Sequence, residues 1–299
     1  MPKVTILTPA FNSAKYIGET IESAMRQTYQ DFEMVIVDDG SMDDTKKIIE
    51  SYAQKYPGKI RYIFQKNAGP SAARNTAIKN SSGEYLATLD ADDLWLPNRL
   101  EEGVKVLESQ PDVGLVHSRT QRLINGKLTK GAKREPEFLS GMIFKNLILR
   151  RAHISCLSVL VRRKCVEEAG MFDESRECSV GEDRDLWIRI SKKNLVQYID
   201  QELGIYRMLS TGISRNAPRM LESGKYVINK NCPGLRYFLL RRCATANIYK
   251  ENADEYFQNH DFQEAKKKYM IAISFWPFYV WPWINYVKCL LKTGDKDVG

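Results

Sequence analysis

The sequence predicts an α/β fold, a mostly parallel sheet flanked by helices, followed by a helical C-terminal extension. Three observations carry this. Short apolar runs alternate with helical patterns over the first 118 residues, and such alternation gives right-handed crossovers between parallel strands. Most of the runs are continuously apolar, as in strands covered on both faces. Acidic and polar clusters sit just past the ends of these runs, and open α/β sheets bind ligands beyond the carboxyl ends of their strands.

Val4–Thr8, Met34–Val37, Ile60–Phe64, Tyr85–Leu89 and Val113–His117 read as strands. Between them, Ala14–Gln27, Thr45–Tyr56, Ser71–Lys79 and Pro97–Ser109 have helical spacing, with Ile17, Ile21 and Ala24 on one face of the first. Pro97 suits a first helical turn, and Ser41 or Asp43 can cap the second helix. From 119 to 215 the pattern is mixed. Asn125-Gly126 between Leu123 and Leu128 marks a two-residue hairpin turn. Ser158–Val161, Val196–Ile199 and Gly204–Met208 follow as strands, with a helix at Glu182–Lys193. After Pro218 helices are expected. The chain thus divides into residues 1–215, in halves 1–118 and 119–215, and a helical region 216–299.

In that last region Tyr249, Ala253, Tyr256, Ala265, Tyr269, Ala272 and Pro277 match the spacing of one tetratricopeptide-like hairpin, or of an ordinary amphipathic helix pair. One such unit cannot bury its own apolar face. It must pack on the rest of the chain, on a twin subunit in a homodimer, or on a partner. Residues 269–287 carry no charge, and eight of the nineteen are aromatic. That reaches the length of a membrane span, but Pro277 and Pro282 divide it. Its three Trp, between Lys266–Lys268 and Lys288, point to internal packing or to interfacial contact with an anionic membrane surface.

The 299 residues, 43% hydrophobic and 27% charged, exclude a collagen-like, low-complexity or wholly disordered chain. Net charge is +8, unevenly spread: residues 1–118 carry 13 Lys and Arg against 17 Asp and Glu, the remainder 32 against 20. The basic part favours anionic partners. No nucleic-acid module or aromatic–basic stacking surface accompanies it, so nucleic acid is not expected. Six cysteines without a CxxC pair, and an N-terminus that enters a strand with no signal-peptide core, suggest a cytoplasmic protein with reduced thiols, peripheral at most on the cytoplasmic membrane face.

Three clusters follow predicted strands: Thr8-Pro9-Ala10-Phe11-Asn12, Asp38-Asp39-Gly40-Ser41 and Asp90-Ala91-Asp92-Asp93. One carboxylate at a strand end serves equally as a turn residue or cap. Three clusters at equivalent ends converge on one crevice, and acids gathered there repel one another unless a cation is bound. Asp90-Ala91-Asp92 suits Mg2+ or Mn2+, whose shell is ordinarily completed by water and substrate phosphates. The inferred ligand is a diphosphate.

With Asn67-Ala68-Gly69-Pro70-Ser71-Ala72-Ala73-Arg74-Asn75 and Gly181-Glu182-Asp183-Arg184-Asp185-Leu186-Trp187, these segments stand in the order and at the intervals of family-2 glycosyltransferases. Over roughly residues 3–210 the chain resembles that family, whose fold is the Rossmann-like GT-A type. The resemblance implies an inverting, metal-dependent enzyme. It moves a sugar from a nucleoside-diphosphate donor, with UDP favoured, to a glycan or lipid-linked acceptor in cell-surface glycan synthesis. Residues 1–118 are then the nucleotide-binding half and 119–215 the acceptor-binding half. Pro9, Ala10, Phe11 and Asn12 line the nucleobase pocket, and Asp39 bonds the base. Arg74 meets the nucleotide or diphosphate, for which Gly69 gives backbone room and the guanidinium a planar fork. Asp92 is the metal ligand. Asp90 and Asp93 touch ribose, metal-bound water or sugar, although Asp93 also reads as the cap of the next helix. Asp183 is the catalytic base, beside Glu182. Arg207 falls where relatives place a basic residue near the diphosphate, and His153, after Arg150-Arg151-Ala152, reads either as an acceptor or phosphate contact or as a structural histidine. The histidine that commonly follows Arg207 is replaced by Met208-Leu209-Ser210. Two alternatives stand beside this reading. A nucleotidyltransferase of sugar-nucleotide synthesis would want a Gly-rich loop where Pro9–Ser13 stands, and a non-catalytic scaffold leaves Asp39, Asp90, Asp92 and Asp183 without a purpose.

Overall fold

A computed structural model describes residues 1–129, 139–209 and 216–294. The chain forms two units, one of residues 1–144 and 152–212, the other of 145–151 and 213–299.

The first unit is built on a nine-stranded mixed sheet. Its strands are β1 (Val4–Ala10), β2 (Phe32–Asp38), β3 (Ile60–Phe64), β4 (Tyr85–Thr88), β5 (Leu94–Trp95), β6 (Val113–Ile124), β7 (Lys127–Thr129), β8 (Leu160–Arg162) and β9 (Leu195–Arg207). They lie in the order β3-β2-β1-β4-β8-β6-β9-β5, with β7 paired to β6. β3, β2, β1 and β4 are parallel, β9 is parallel to β6, and β5, β7 and β8 run against them. Every residue of β2 is buried, which explains its unbroken apolar run. Helices α1 (Ile17–Met25), α2 (Thr45–Lys55), α3 (Pro70–Lys79) and α4 (Arg99–Ser109) alternate with the first strands. The short α5 (Phe144–Ile148) falls at the unit boundary, and α6 (Arg163–Glu168) and α7 (Glu182–Ser191) complete the set. Ile17, Ile21 and Ala24 of α1 join Ile6, Met34 and Ile36 of the sheet in one core.

The elements depart from the sequence expectation for physical reasons. The first helix starts at Ile17, because the Ser13 carbonyl accepts from the Tyr16 and Ile17 amides and holds the preceding residues in a turn. The strands expected at Val196–Ile199 and Gly204–Met208 are one strand, β9; the polar Asp200-Gln201 step between them is a register shift against β6, not an end. The Asn-Gly turn forms as expected, with φ of 49° at Asn125 and 77° at Gly126 between Ile124 and Lys127. Two-residue β5 is too short to register as a pattern; it pairs with β9 where a Cβ on Gly204 would lie 2.2 Å from Leu157.

The second unit contains α8 (Ala217–Asn231), α9 (Phe238–Gln258), α10 (Phe262–Phe275) and α11 (Val280–Gly294). Asn216 and Asp261 cap α8 and α10 through their side chains. Ala253, Ala265, Tyr269 and Ala272 are fully buried, with Cys289 of α11 in the same cluster. The uncharged run 269–287 is split between α10, a turn containing Pro277, and α11. Among the described residues no helix is long and apolar enough to cross a membrane. Among the described residues none of the six cysteines forms a disulfide.

Candidate active site

Strand ends bring the polar clusters of the first unit together. Ala10 and Asp38 are partners across β1 and β2, and the loops beyond them are tied. The Asp39 amide donates to the Ala10 carbonyl (2.8 Å), Asn12 N–H to Ser41 Oγ (2.9 Å), and Met42 N–H to Asn12 Oδ1 (2.8 Å). Asn12 takes φ +48°, a left-handed conformation that Asn tolerates. Pro9 is half-buried and Ala10 buried, whereas Phe11 is 51% exposed and leaves an aromatic face free beside these loops.

Asp38 accepts from the Ser41 amide (2.8 Å) and the Tyr62 hydroxyl (3.1 Å), so it shapes the turn. Buried Asp39 gathers the segment before α3: it accepts from Gln65 Nε2 (2.7 Å), Ala68 N–H (2.9 Å) and Gly69 N–H (2.8 Å). Gly69 has φ +93°, and a Cβ there would meet open space, so its glycine is required by backbone conformation rather than by close packing.

Arg74 lies on α3 and is 4% exposed. One guanidinium nitrogen donates to Asp90 Oδ1 at 2.6 Å, the other to Glu182 Oε1 at 2.8 Å, and the plane sits 5.4 Å from the Phe172 ring centroid. Burial opposes its charge, but Asp90 and Glu182 outweigh that and hold its pKa above the ordinary value. The fork expected to grip phosphate is therefore filled by two carboxylates. What it joins is the acidic loop after β4 to the first turn of α7.

The three acids after β4 occupy different environments. Asp90 takes Arg74. Asp92 is half-buried; burial, with the Asp90 charge adding, pushes its carboxyl up to about 6. No ion pair of Asp92 occurs among the described residues. Asp93 is buried and raised well above the carboxylate range by burial, then by Asp92 and Asp90. Its Oδ1 accepts from the Arg207 amide at 2.8 Å. It is not a helix cap, since α4 begins at Arg99 after Asn98. Arg207, at the end of β9, donates through Nε to the Asp92 carbonyl (2.8 Å) and through Nη2 to Glu19 (2.6 Å), and stacks over Tyr16. It thus braces the acidic loop from behind.

Asp183 stands in the first turn of α7, after Gly181 at φ +134°. Its Oδ1 accepts from the Arg184 amide (2.6 Å). Burial raises its pKa well above the carboxylate range, Glu182 and Asp90 add to this, and the Arg184 amide and Arg74 oppose it. A carboxyl so shifted is poised to take a proton near neutrality. Cys156 shares this environment: burial raises its thiol pKa, and the charges of Arg74, Asp90, Asp183 and Glu182 all reach it. Nothing in the cysteine spacing signalled that. Phe172, held to Asn75 by a pair of hydrogen bonds (2.9 and 3.0 Å), was equally silent in sequence. His153 is exposed, and His117 is buried against the Leu139 carbonyl with its pKa lowered to about 4 by burial.

The residues after β4 suit a hard divalent cation in chemistry, with one carboxylate that lacks an ion pair and another nearby. They do not close a cage by themselves. Among the described residues, the one trio of candidate ligands within 4.8 Å is Asp173, Cys178 and Asp185. There Asp185 is paired to Arg189 at 2.8 Å, which already compensates its charge.

The family model described as Glycosyl transferase family 2 matches residues 5–170. The chain is 34% identical over 226 residues to an uncharacterized glycosyltransferase of Rickettsia felis, covering 76% of this chain and 35% of that protein. The chain thus spans about a third of the length of the first curated relatives it matches. It is 29% identical over 217 residues to a Bacillus subtilis protein named for teichuronic acid biosynthesis, TuaG, covering 72% and 82%. Among solved structures, S. aureus TarS 1-349 in complex with UDP-GlcNAc aligns with TM-score 0.62 at 16% identity over 96% of this chain and 89% of that one. The mannosyltransferase PcManGT from Pyrobaculum calidifontis, in complex with GDP-Man and Mn2+, aligns with TM-score 0.61 at 19% identity, over 100% and 88%. At these identities the two structures establish a shared GT-A fold.

Proposed function

Because the chain belongs to glycosyl transferase family 2, we propose that it is an inverting glycosyltransferase that moves a sugar from a UDP-linked donor to a hydroxyl of a glycan or lipid-linked acceptor, in cell-surface glycan synthesis. The observation that carries the reading is the Arg74 bridge. It draws Asp90 of the acidic loop after β4 and Glu182 of the base helix α7, 92 residues apart in sequence, to the two ends of one guanidinium. Leaving group and attacking hydroxyl must meet across that short distance.

In this mechanism Asp183 takes the acceptor proton as the hydroxyl oxygen bonds to the donor C1. The C1–O bond to phosphate breaks on the opposite face, the diphosphate departs with the electron pair, and the anomeric configuration inverts. Pro9, Ala10 and Phe11 line the base pocket, with Asn12 holding its loop. Asp39 sets the 65–69 segment beneath the base and offers its remaining lone pairs to a base N–H. Arg74 is a positioning residue rather than a phosphate ligand, and Asp93 and Arg207 fix the loop that carries Asp92. Asp92 would hold Mg2+ or Mn2+, with Asp90 nearby. When bound, the cation neutralises charge on the departing diphosphate. The donor class is supported by the UDP-GlcNAc held by TarS and the metal by the Mn2+ in PcManGT; the pathway is supported by the name of TuaG.

Thermal-shift measurements with a panel of sugar nucleotides, with and without Mn2+, test the donor; selective, metal-dependent stabilisation by a UDP-sugar is expected. Asp183→Asn should keep that stabilisation and lose about 10²–10⁴-fold in transfer rate. A variant within tenfold of wild type would remove Asp183 from the base role.

A further inference from the structure

Helix α11 turns its apolar side outward. Val280, Trp283, Ile284, Val287 and Leu291 are each 40–69% exposed and recur every three or four residues, so they form one stripe along the helix. Its inward positions are Pro282 and Cys289, both buried. The stripe continues onto neighbouring elements of the same unit. Phe278, in the α10–α11 turn, is 85% exposed. Leu235, in the turn before α9, and Leu239, in its first turn, are 89% and 63% exposed. Arg242 of α9 donates to the carbonyls of Ser274 and Phe275, so the start of α9 lies beside the α10–α11 turn.

The charges on α11 itself have one sign, and the nearest acid, Asp254 of α9, is held on the inward side by Lys250, Tyr269 and Asn285. Between Glu264 and Asp295 there is no Asp or Glu, but there are five Lys. Lys288 and Lys292 are exposed on α11, and Lys292 reaches the ring of Phe262 at the start of α10. A self-complementary contact of α11 with its copy would set Lys288 and Lys292 against each other, with no acid on α11 to pair them. An apolar stripe with Trp on it, Lys at its edge and no acid is instead the composition of a helix lying in the plane of an anionic leaflet. At 15 residues α11 is too short to cross one.

We propose that α11 and the α10–α11 turn dock the protein flat on an anionic lipid surface. The apolar stripe sits at the headgroup–acyl boundary and the lysines meet lipid phosphates. This stands on the second unit alone and does not depend on the catalytic reading.

The test is flotation of the full chain with phosphatidylcholine vesicles, with and without phosphatidylglycerol. Binding is expected only when phosphatidylglycerol is present, and it should weaken with salt. Val287→Glu/Leu291→Glu should cut partitioning about tenfold or more, and Lys288→Ala/Lys292→Ala roughly fivefold per lysine. Both variants should keep the wild-type unfolding temperature, because the altered side chains are exposed. Equal binding to both vesicle types, or undiminished binding by both variants, would overturn the proposal. So would a stable dimer in light scattering that Val287→Glu/Leu291→Glu splits, since a second copy would then cover the stripe. A large fall in unfolding temperature for that variant would also overturn it, by showing the stripe to be internal.

Discussion

The two units of the chain place charge and apolar surface in opposite ways. The sheet unit buries Asp38, Asp39, Arg74, Asp93, Arg99 and Asp185, while its exposed large apolar residues are few and scattered. One of them, Phe11, stands at the candidate site. The helical unit buries no charged side chain among its described residues, yet exposes a continuous apolar stripe. Burying a charge carries a desolvation cost, and Arg99, whose pKa burial lowers to about 9, illustrates it. Leaving hydrophobes in water forgoes about 25 cal/mol per Å². On the roles proposed for them, each unit tolerates the expense that its work requires: chemistry needs charges held away from water, and docking needs apolar surface held in it.

The strongest way to break this comparison is to empty the charge cluster. Arg74→Ala leaves Asp90 and Glu182 without their cation, and Glu182 is only 12% exposed. Truncating one member of a buried charge network costs about 3–5 kcal/mol. Urea unfolding followed by circular dichroism should show that loss as a fall in midpoint, with transfer activity lost alongside. In the helical unit the Lys250–Asp254 pair, 27% and 26% exposed, is the control; Lys250→Ala should cost no more than about 1 kcal/mol. Equal losses in the two units would mean that buried charge is not what distinguishes them.

How much of this could be read in advance follows the same division. The parallel half was legible because fully buried strands leave continuous apolar runs and the acids Asp38, Asp39, Asp90, Asp92 and Asp93 stand at or just past strand ends. The Asn125-Gly126 hairpin was legible because its turn needs two positive φ values. Arg74 was singled out, but its partners were not: Glu182 lies 108 residues away, and no local pattern encodes that pairing. Asp93 also read as a helix cap because the group it accepts from, the Arg207 amide, arrives on a strand more than a hundred residues later. The aromatic tail was visible as composition, while which side of α11 faces outward is set by its packing on α9 and α10.

A second prediction concerns the cost of keeping the site charged. The folded-state pKa of Asp92, about 6, lies above its ordinary value of 3.8. Between those values the folded state binds more protons than the unfolded one, so stability falls as pH rises through that window. Near pH 8 the carboxylate is ionised in both states and the penalty is complete; near pH 4 it is absent. Asp92→Asn should therefore stabilise the metal-free protein by about 1–3 kcal/mol at pH 8, a gain that fades as pH falls towards 4, while transfer is lost. A destabilised Asn variant at pH 8 would show that the carboxylate is already compensated within the protein.

The smallest effect is expected where the helical unit comes nearest to the chemistry of the sheet unit. Tyr269 is fully buried, and its hydroxyl donates to Asp254 Oδ1 at 2.6 Å. Asp254 also accepts from Asn285 of α11 at 3.4 Å and pairs with Lys250 at 2.6 Å, so it joins three helices while remaining partly exposed. Tyr269→Phe keeps the ring that fills the Ala253–Ala265–Cys289 cluster and removes a single donor. Because Asp254 retains its other partners, no acceptor is stranded, and the loss should be about 0.5–1.5 kcal/mol in thermal unfolding. That modest figure separates two accounts of the helices. If apolar packing holds them, removing the ring with Tyr269→Ala adds a cavity cost of about 3–5 kcal/mol. If the Asp254 network holds them, Tyr269→Phe alone will approach the Arg74→Ala loss, and the contrast between a unit built on buried charge and one built on apolar contact fails.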